Sequence, residues 1–358
     1  MTSTIAPPPI ALSQRRRTIR GVTVPPVSTT EPVERPDAAG TRPDAGVLEF
    51  EASRRELTAY CYRMLGSGSE AEDAVQETMV RAWRGIDRFE GRSAVRSWLY
   101  RIATNVCLDM LRGPQRRARP MDMGPASTAD AFLGAPLAEQ HWVLPARDET
   151  ILPTNDPAAV AESRESVRLA FIAALQLLPP RQRAVLILRQ VLRWQATEVA
   201  ELLDTTVASV NSALQRATAT MASADTVAVD AAQMDDEHQE LLAKYVDAFE
   251  RYDIESLVTL LHDDATFCMP PFPLWLRGTQ EIGKFYVGQG AACRGSRLLA
   301  TAANGCAAFG SYKPTGDGSY EPWALQVIEV SDGRISTLHH FIGPEIFEQF
   351  GLPARLEE

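Results

Sequence analysis

Residues 93–112 read SAVRSWLYRIATNVCLDMLR and carry two different faces at helical spacing. A 3.6-residue period places six apolar side chains on one stripe, which is typical of a helix packed on a core. These are Val95, Trp98, Leu99, Ile102, Val106 and Met110. Arg101, Asn105 and Arg112 fall together on another side. Because a guanidinium pairs with phosphate and an asparagine amide bonds a base edge, this helix is equipped to contact nucleic acid. An ordinary solvated face gives the same pattern.

The residues before this helix also separate into an apolar and a polar face, and with it they predict a small helical bundle. Residues 70–83, EAEDAVQETMVRAW, direct four side chains inward: Ala74, Val75, Met79 and Trp83. Residues 47–66 form an amphipathic helix that Gly66 ends, and Ser69 is the predicted N-cap of the next helix. We therefore expect at least three packed helices between residues 47 and 119.

The composition indicates several domains of opposite charge. The chain has 358 residues, 45% of them hydrophobic, and more than one domain is expected at this length. Its net charge of −10 is segregated: residues 50–119 carry 13 arginines against 9 acids, and residues 163–222 carry 7 against 4. Residues 120–162 carry one arginine against 7 acids, and residues 223–358 carry 9 basic against 21 acidic residues. Two basic blocks suited to nucleic acid thus precede an acidic domain.

The five cysteines are far apart and form no CxxC or Cys/His cluster. Neither a zinc site nor a disulfide framework is expected, and we predict a cytoplasmic protein without metal or cofactor. No stretch reaches 18 apolar residues, and the N-terminus has no apolar run after its charges. No membrane span and no signal peptide are predicted.

Two segments around the basic blocks lack periodicity. Residues 1–46 are rich in proline, threonine and arginine, and we predict a disordered tail. Residues 120–162 are acidic and proline-rich, and we predict a flexible linker that spans more than about 100 Å when extended. Such a linker lets its flanking modules reach DNA sites about 70 Å apart, two turns of the duplex.

Residues 163–222 predict a second helical domain that contains a helix-turn-helix. Two short helices, QATEVAELLD and TTVASVNSALQRATATM, are joined by a tight turn, with Thr206 as the cap of the second. The outward positions of the second helix are Ser209, Asn211, Ser212, Gln215 and Arg216. Amide and guanidinium groups in this pattern pair with base edges in a major groove.

These segments resemble the extracytoplasmic-function (ECF) group of the sigma-70 family. AEDAVQETMVRAW resembles the family segment that docks on the β′ clamp helices of core RNA polymerase, which implies core-binding roles for Asp73, Gln76 and Glu77. RSWLYRIATNVCLDMLR resembles the segment that melts and reads the −10 promoter element. LPPRQRAVLILRQVLRW through LQRATATM resembles the domain that reads the −35 element. The acidic linker resembles the connector that runs near the polymerase active site.

The resemblance assigns promoter DNA contacts to particular residues. At the −10 element they are Arg96, Arg101, Asn105 and Arg112, and the loop of residues 86–96 would hold an extruded base. At the −35 element they are the five outward residues of the second helix in the helix-turn-helix. Taking a base out of the stack requires about a few kcal/mol, which binding energy supplies, so no enzyme activity is expected.

Residues 237–345 predict an α+β domain, preceded by a linker over residues 223–236 and followed by a tail over residues 346–358. EHQELLAKYVDAFERYDIESLVTLL indicates a helix pair and TQEIGKFYVG a third helix. Four alternating runs follow, separated by Asn-Gly, Thr-Gly-Asp-Gly and Asp-Gly turns, which predicts an antiparallel meander. This order resembles the SnoaL-like, nuclear-transport-factor-2-like cone, and MPPFPLWLRG is similar to a string in sigma factors with such an appendage.

The SnoaL-like resemblance implies an internal pocket. Its candidate residues are Asp264, Phe267, Met269, Trp275, Trp323 and His339. Enzymes of this fold use an Asp or His as acid or base, which makes Asp264, His339 and His340 candidates. Adjacent histidines on a strand point to opposite faces, so only one of the two enters the pocket. We favour regulation over catalysis, through contact with the sigma modules or a small apolar ligand, although for any single aromatic residue a place in the core is the favoured interpretation.

The sequence therefore predicts two all-α modules and a C-terminal α+β cone that act together as an ECF-type sigma factor modulated by its last domain. The alternative is a stand-alone helix-turn-helix regulator fused to a ligand-binding or catalytic SnoaL-like domain. The two hypotheses differ in the expected partner. A sigma factor binds core polymerase and directs it to a promoter, whereas a stand-alone regulator such as a repressor binds DNA without polymerase.

Overall fold

The computed structural model describes residues 43–89, 94–112, 116–154, 156–222 and 236–357. Residues 1–42 of the predicted tail, residues 223–235 of the predicted linker and residues 90–93 of the loop expected to hold an extruded base lie outside the described residues. The prediction of disorder is wrong for residues 43–46, which belong to the first helix.

The first helical module contains α1 (Pro43–Leu65), α2 (Gly68–Gly85) and α3 (Val95–Met110), with a 3-10 turn at Ile86–Arg88. Gly66 ends α1 as predicted, because its φ of +74° turns the chain and its N–H donates to the Tyr62 carbonyl at 2.8 Å. The N-cap of α2 is Ser67, whose hydroxyl accepts from the Glu70 N–H at 3.4 Å. The prediction of Ser69 as the cap is wrong, since Ser69 already lies in the first turn of α2.

The apolar stripe of α3 packs on α1 and α2. Leu99 and Val106 are fully buried, and Val95 and Met110 at the two ends are half-buried against the same core. The Tyr60 hydroxyl of α1 and the Thr104 hydroxyl of α3 form a buried hydrogen bond of 2.8 Å. The stripe identified in the sequence therefore is the side of α3 that faces the core.

Trp83 departs from the prediction that it faces inward, because 55% of it is exposed. The buried side of α2 consists of Ala71, Ala74, Val75, Thr78, Met79 and Ala82. This stripe puts Ala82 in the inward position at the end of the helix and turns its neighbour Trp83 toward solvent.

Residues 116–154, here called the strap, connect the two helical modules. The strap contains 3-10 turns at Pro120–Asp122 and Glu139–His141 and the short helix α4 (Asp148–Ile151). Trp142 is fully buried, and Arg117 donates to the Trp142 carbonyl at 2.8 Å and to the Glu70 carboxylate of α2.

Backbone hydrogen bonds to distant residues hold the strap in place, although much of it is exposed, which differs from the flexible linker predicted over residues 120–162. The Ser127 N–H donates to the Trp275 carbonyl at 2.8 Å, and the Leu137 N–H donates to the Pro271 carbonyl at 2.9 Å. Its backbone partners lie in distant parts of the chain, so no local periodicity marks this order in the sequence. Residues 157–162 of the predicted linker belong to the next helix.

The second helical module contains α5 (Pro157–Glu165), α6 (Leu169–Leu175), α7 (Pro180–Leu186), a π-helical segment (Ile187–Val191), α8 (Ala196–Leu202) and α9 (Val207–Ala222). Helices α8 and α9 form the predicted helix-turn-helix. Asp204 in the turn adopts a φ of +50°, a left-handed conformation that short polar side chains tolerate. Thr206 caps α9 as predicted, because its hydroxyl accepts from the Ser209 N–H at 3.2 Å.

The C-terminal domain is α+β. Its helices are α10 (Asp236–Arg251), α11 (Ile254–Thr259), α12 (Thr279–Val287), the 3-10 helix Gln289–Cys293 and α13 (Glu345–Gln349). Its strands are β1 (Leu261–Cys268), β2 (Trp275–Arg277), β3 (Arg297–Ala303), β4 (Cys306–Pro314), β5 (Ser319–Ser331), β6 (Arg334–Ile342) and β7 (Leu356–Glu357). The sheet order is β2-β1-β6-β5-β4-β3, with β7 paired to β5. Strands β3 to β6 form the predicted meander, and β1 joins β6 in parallel.

The two faces of the sheet belong to different cores. Phe267, Ile328 and Leu338 on the inner face pack with α10 and α12. Leu325 and Val327 on the outer face belong to the same contiguous apolar core as the two helical modules. The cone and the helical modules therefore share one buried interface. None of the helices within the described ranges is long and apolar enough to cross a membrane.

Candidate polymerase and nucleic-acid interface

Three of the four residues expected to contact −10 DNA lie on one face of α3 or just after its end. Arg101 and Asn105 are exposed one turn apart on the same side of α3, and the exposed Arg112 lies two residues after the end of α3. Arg112 pairs with Asp109 in the last turn of α3 at 3.1 Å. Arg101 Nη2 donates to the carbonyl of Glu201 on α8 at 2.9 Å, so the second helical module engages part of this face.

Arg96 lies on a different side of α3. Its guanidinium donates two hydrogen bonds of 2.8 Å to Glu56 of α1 and lies over the rings of Tyr100 and Trp194, at 5.4 and 5.6 Å from their centroids. The hydrogen bond to Glu56 raises the pKa of Arg96. The structure thus does not bring Arg96 together with the other three residues.

A stripe along α2 combines polar and apolar exposed residues. Asp73 and Gln76 are exposed, and one and two turns further along the helix 36% of Val80 and 55% of Trp83 are exposed. Glu77 lies beside the stripe and pairs with Arg81 at 2.7 Å. An exposed tryptophan among polar residues is typical of a protein-binding surface. Sequence reasoning missed Val80 and Trp83, although their size and position next to the predicted docking residues were the available signal.

The predicted recognition helix α9 presents its polar face to solvent. Val210 and Ala217 are buried on the opposite side of α9. The five predicted residues are all exposed: Ser209, Asn211, Ser212, Gln215 and Arg216. The Thr206 hydroxyl donates to Ser209 Oγ at 3.0 Å. The exposed face of α9 thus offers amide and guanidinium groups, the side-chain types that pair with base edges in a major groove.

Two buried arginines join the helical modules. Arg63 of α1 donates to the Ser166 carbonyl at 3.0 Å and to its hydroxyl at 2.6 Å. Arg183 of α7 donates to the Met64 carbonyl near the end of α1 and to Gln176 Oε1 at 2.6 Å. Burial lowers the pKa of Arg63 and of Arg183 to about 10, so both stay charged at neutral pH.

The turn between β3 and β4 reaches the strap and both helical modules. Asn304, at a φ of +57°, is fully buried. Its Nδ2 donates to the Tyr62 hydroxyl of α1 at 2.6 Å and to the Val167 carbonyl before α6 at 2.5 Å. Its Oδ1 accepts from the Ala146 N–H of the strap at 3.0 Å. One side chain therefore bonds three parts of the molecule.

Gly305 and Asp148 complete this junction. The Gly305 N–H donates to Asp148 Oδ1 at 2.7 Å. Burial raises the pKa of Asp148 to about 6, although the Gly305 N–H and the Arg164 charge act in the opposite direction. A Cβ at position 305 would lie 3.0 Å from the Arg164 side chain, so only glycine allows this close approach without a shift.

The interior of the cone is filled by aromatic side chains. Phe267, Phe249 and Tyr286 surround the ring of His340, and the Phe267 and His340 centroids are 4.9 Å apart. Tyr286 Oη and His340 Nε2 are 3.4 Å apart. Phe267 and Met269, two of the predicted pocket residues, are buried. One histidine enters the cone, as the strand alternation requires, and it is His340.

The other predicted pocket residues lie elsewhere. Asp264 is 62% exposed at its side chain and accepts from His262 at 2.6 Å, a bond that lowers the pKa of the carboxyl. The Trp275 Nε1 donates to the Gly124 carbonyl of the strap at 2.9 Å, and the Lys313 Nζ lies 3.1 Å from the ring centroid of Trp323. His339 is buried on the outer face of the sheet because it alternates with His340.

Models of three protein families match successive parts of the chain. They are "Sigma-70 region 2" over residues 50–117, "Sigma-70, region 4" over residues 168–221 and "SnoaL-like domain" over residues 242–338. The fold and the site therefore define an RNA polymerase sigma factor that carries a SnoaL-like domain.

The relatives narrow this class. The chain is 41% identical over 360 residues to the ECF RNA polymerase sigma factor SigG of Mycobacterium tuberculosis. The aligned region covers 99% of this chain and 95% of that protein. It is 28% identical over 313 residues to the ECF sigma factor SigJ of the same species, with 84% and 93% of the two chains covered. The crystal structure of SigJ matches with a TM-score of 0.54 at 25% identity, over 86% of this chain and 100% of that one. The chain belongs to the ECF RNA polymerase sigma factors, which bind core polymerase and promoter DNA.

Proposed function

We propose that α2 docks this sigma factor on the β′ clamp helices of core polymerase. The observation that carries the proposal is the exposed stripe of Asp73, Gln76, Val80 and Trp83, with Glu77 beside it. Polar side chains fix the register of such a contact, while an aromatic side chain supplies most of the buried apolar area.

Promoter DNA is contacted by one helix from each helical module. Arg101 and Asn105 of α3, with Arg112 just after it, serve the −10 element, and the outward side chains of α9 serve the −35 element. Arg96 supports α3 from its far side, since its bonds to Glu56 tie α3 to α1. Phosphate and base-edge contacts of these residue types account for affinity and selectivity, respectively.

The arrangement of the modules in this structure is a closed state that opens before promoter binding. Arg101 of α3 lies 2.9 Å from Glu201, in the helix that precedes α9. Modules in such contact do not reach promoter elements separated by two duplex turns, about 70 Å. The C-terminal domain favours the closed state through Asn304, which bonds α1, the strap and the second module at once.

The C-terminal domain acts by contact with the sigma modules and not by catalysis. Its exposed Asp264 lies outside the cone, and the side chains of Phe267 and Tyr286 occupy the space beside His340. A small apolar ligand would have to displace these buried rings. The protein works in the cytoplasm, where polymerase and chromosome meet.

Charge reversal on α2 tests the proposed docking surface. Asp73→Lys with Glu77→Lys should raise the Kd for core polymerase at least tenfold, equivalent to about 1.4 kcal/mol. Glu255→Lys with Glu321→Lys is the matched control, because both residues are exposed and the net charge changes equally. Binding is measured by fluorescence titration with core enzyme, and initiation by in-vitro transcription. Equal losses in the two double variants would contradict docking through α2.

A further inference from the structure

Three polar side chains form a row across the outer face of the sheet. Cys268 on β1, His339 on β6 and Glu329 on β5 follow the order of the strands and are all buried. Cys268 Sγ lies 3.2 Å from His339 Nδ1, and His339 Nε2 lies 3.2 Å from Glu329 Oε1. One imidazole thus joins a thiol to a carboxylate, and the row is here called the Cys–His–Glu array.

The array carries charge although it is buried. Burial lowers the pKa of His339, but Cys268 and Glu329 outweigh this effect and raise the pKa to about 10. Burial also raises the pKa of Glu329, yet its bond to His339 and the charges of Arg119 and Arg168 leave that pKa lowered. A protonated imidazole within hydrogen-bond reach activates a cysteine as a nucleophile.

The strap and the second helical module cover the array. Arg119 of the strap pairs with Asp122 at 2.9 Å, and its charge helps to lower the pKa of Glu329. A cavity of about 610 Å³ in the second module is lined by Glu329 together with residues of α5, α6 and the π-helical segment. The array therefore lies between a loop segment, which opens more easily than a helical core, and a cavity that admits small solutes.

We propose that Cys268 is a modification site for hydroperoxides and that the strap gates its access. In the reaction the Cys268 thiolate, whose proton is held by His339, attacks one peroxide oxygen, so that an S–O bond forms and the O–O bond breaks. His339 gives its proton to the leaving oxygen, which departs as water when the peroxide is hydrogen peroxide. The sulfur is oxidised by two electrons to a sulfenic acid, and the peroxide is reduced.

Modification at Cys268 loosens the strap. The added oxygen lengthens the side chain at a fully buried position and breaks the 3.2 Å contact with His339 Nδ1. The larger side chain no longer fits the closely packed space on this face of the sheet, which favours release of the strap.

The other cysteines provide controls within the same molecule. Cys107 is as deeply buried as Cys268 but lies in α3, inside the helical core. Cys306 lies on β4 of the same sheet, and burial, followed by the charge of Glu329, raises the pKa of its thiol. Neither has an imidazole among the bonds of the described residues.

The experiment treats the full chain with hydrogen peroxide and traps sulfenic acid with a dimedone reagent, with mass spectrometry to read each cysteine. We expect trapping at Cys268 at least ten times faster than at Cys107 and Cys306. His339→Gln should slow trapping at Cys268 about tenfold. Asp122→Ala removes the ion-pair partner of Arg119 and should accelerate trapping at Cys268. Oxidation should also speed amide exchange at Ala118 and Val143, whose N–H groups pair within the strap.

Two results would overturn the proposal. One is trapping at Cys268 no faster than at Cys107 and Cys306 in the unaltered protein, a comparison that needs no variant to fold. The other is an unchanged rate in Asp122→Ala, which would show that the strap does not gate the thiol. Since polymerase is absent from the experiment, its outcome is independent of the proposed docking of α2.

Discussion

His339 and His340 are neighbours in sequence and have opposite electrostatic surroundings. His340 points into the cone, where burial and then the charge of His339 lower its pKa to about 3. His339 points to the outer face, where Cys268 and Glu329 overcome burial and raise its pKa to about 10. At neutral pH one ring is neutral and the other is protonated.

This pair predicts a stability maximum near pH 6.5, the ordinary pKa of histidine. The contribution of His339 to the free energy of unfolding is fully present below pH 6.5 and is lost as pH rises toward 10. Between these pH values the folded state keeps a proton on His339 that the unfolded state has lost. The contribution of His340 is present above pH 6.5 and is lost as pH falls toward 3, because the unfolded state then binds more protons.

Urea unfolding of the full chain at a series of pH values checks this expectation. His339→Gln should flatten the decline of the unfolding midpoint between pH 7 and 9.5, and His340→Gln should flatten the decline between pH 6 and 4. Each variant acts mainly on its own limb, because burial, and not the charge of His339, is the larger cause of the lowered pKa of His340. If His339→Gln altered both limbs alike, the opposite environments of the two rings would not be the cause.

The sequence predicted that only one of these histidines enters the cone, but it did not identify which. Strand alternation fixes the relation between two neighbours, whereas the absolute direction depends on register. Here the register pairs His340 with Gln326 and His339 with Val327, a long-range fact that no short window contains.

At the scale of elements, α2 illustrates why an exposed apolar stripe is informative. Its buried side is complete without Val80 and Trp83, so neither side chain is needed for the core. Trp83→Ala should therefore change the free energy of unfolding by less than about 0.5 kcal/mol. The same variant should weaken core polymerase binding by about 1–2 kcal/mol, since tryptophan is enriched among residues that dominate interfaces.

Val80→Ala and Val287→Ala form a matched pair for this prediction. Val80 lies on the stripe, whereas Val287 is 70% exposed at the end of α12. Titration with core polymerase should show weaker binding for Val80→Ala and unchanged binding for Val287→Ala. Identical affinities for Trp83→Ala and the unaltered protein would remove α2 from the interface.

The helices and the helix-turn-helix could be predicted because their signals are local. Apolar spacing located α3, Gly66 marked the end of α1, and Thr206 marked the start of α9. The first turn of α2 could not be placed, because Ser67 and Ser69 are equally good caps and only packing distinguishes them. The strap was misjudged, since its order depends on bonds to residues more than a hundred positions away, such as Ser127 to Trp275.

At the scale of the whole molecule, the shared core limits how the closed state can be tested. The outer face of the sheet, including Leu325 and Val327, is buried with the helical modules. Removing the C-terminal domain would expose the apolar surface that it covers, so a truncated chain would be altered in solubility as well as in regulation. A substitution confined to the junction separates these effects.

Asn304→Ala is that substitution, and Asp332→Ala is its control. Both residues stand first in an Xaa-Gly turn of the meander with a positive φ, +57° and +50°. Alanine therefore brings similar backbone strain at both sites. Only Asn304 bonds α1, the strap and the second module, whereas Asp332 is exposed and bonds its neighbour Ser331 at 3.3 Å.

Asn304→Ala should open the molecule because it removes three side-chain hydrogen bonds and leaves Tyr62, Val167 and Ala146 without these partners, at a cost of about 1–3 kcal/mol. X-ray scattering should show a larger radius of gyration for Asn304→Ala than for Asp332→Ala. Transcription at limiting sigma factor should rise about threefold to tenfold in Asn304→Ala alone, since a larger open fraction competes better for promoter complexes. Equal scattering curves and equal transcription in the two variants would mean that the β3–β4 turn does not hold the modules together, and that their other contacts, including those of Arg63, Arg101 and Arg183, suffice to keep them closed.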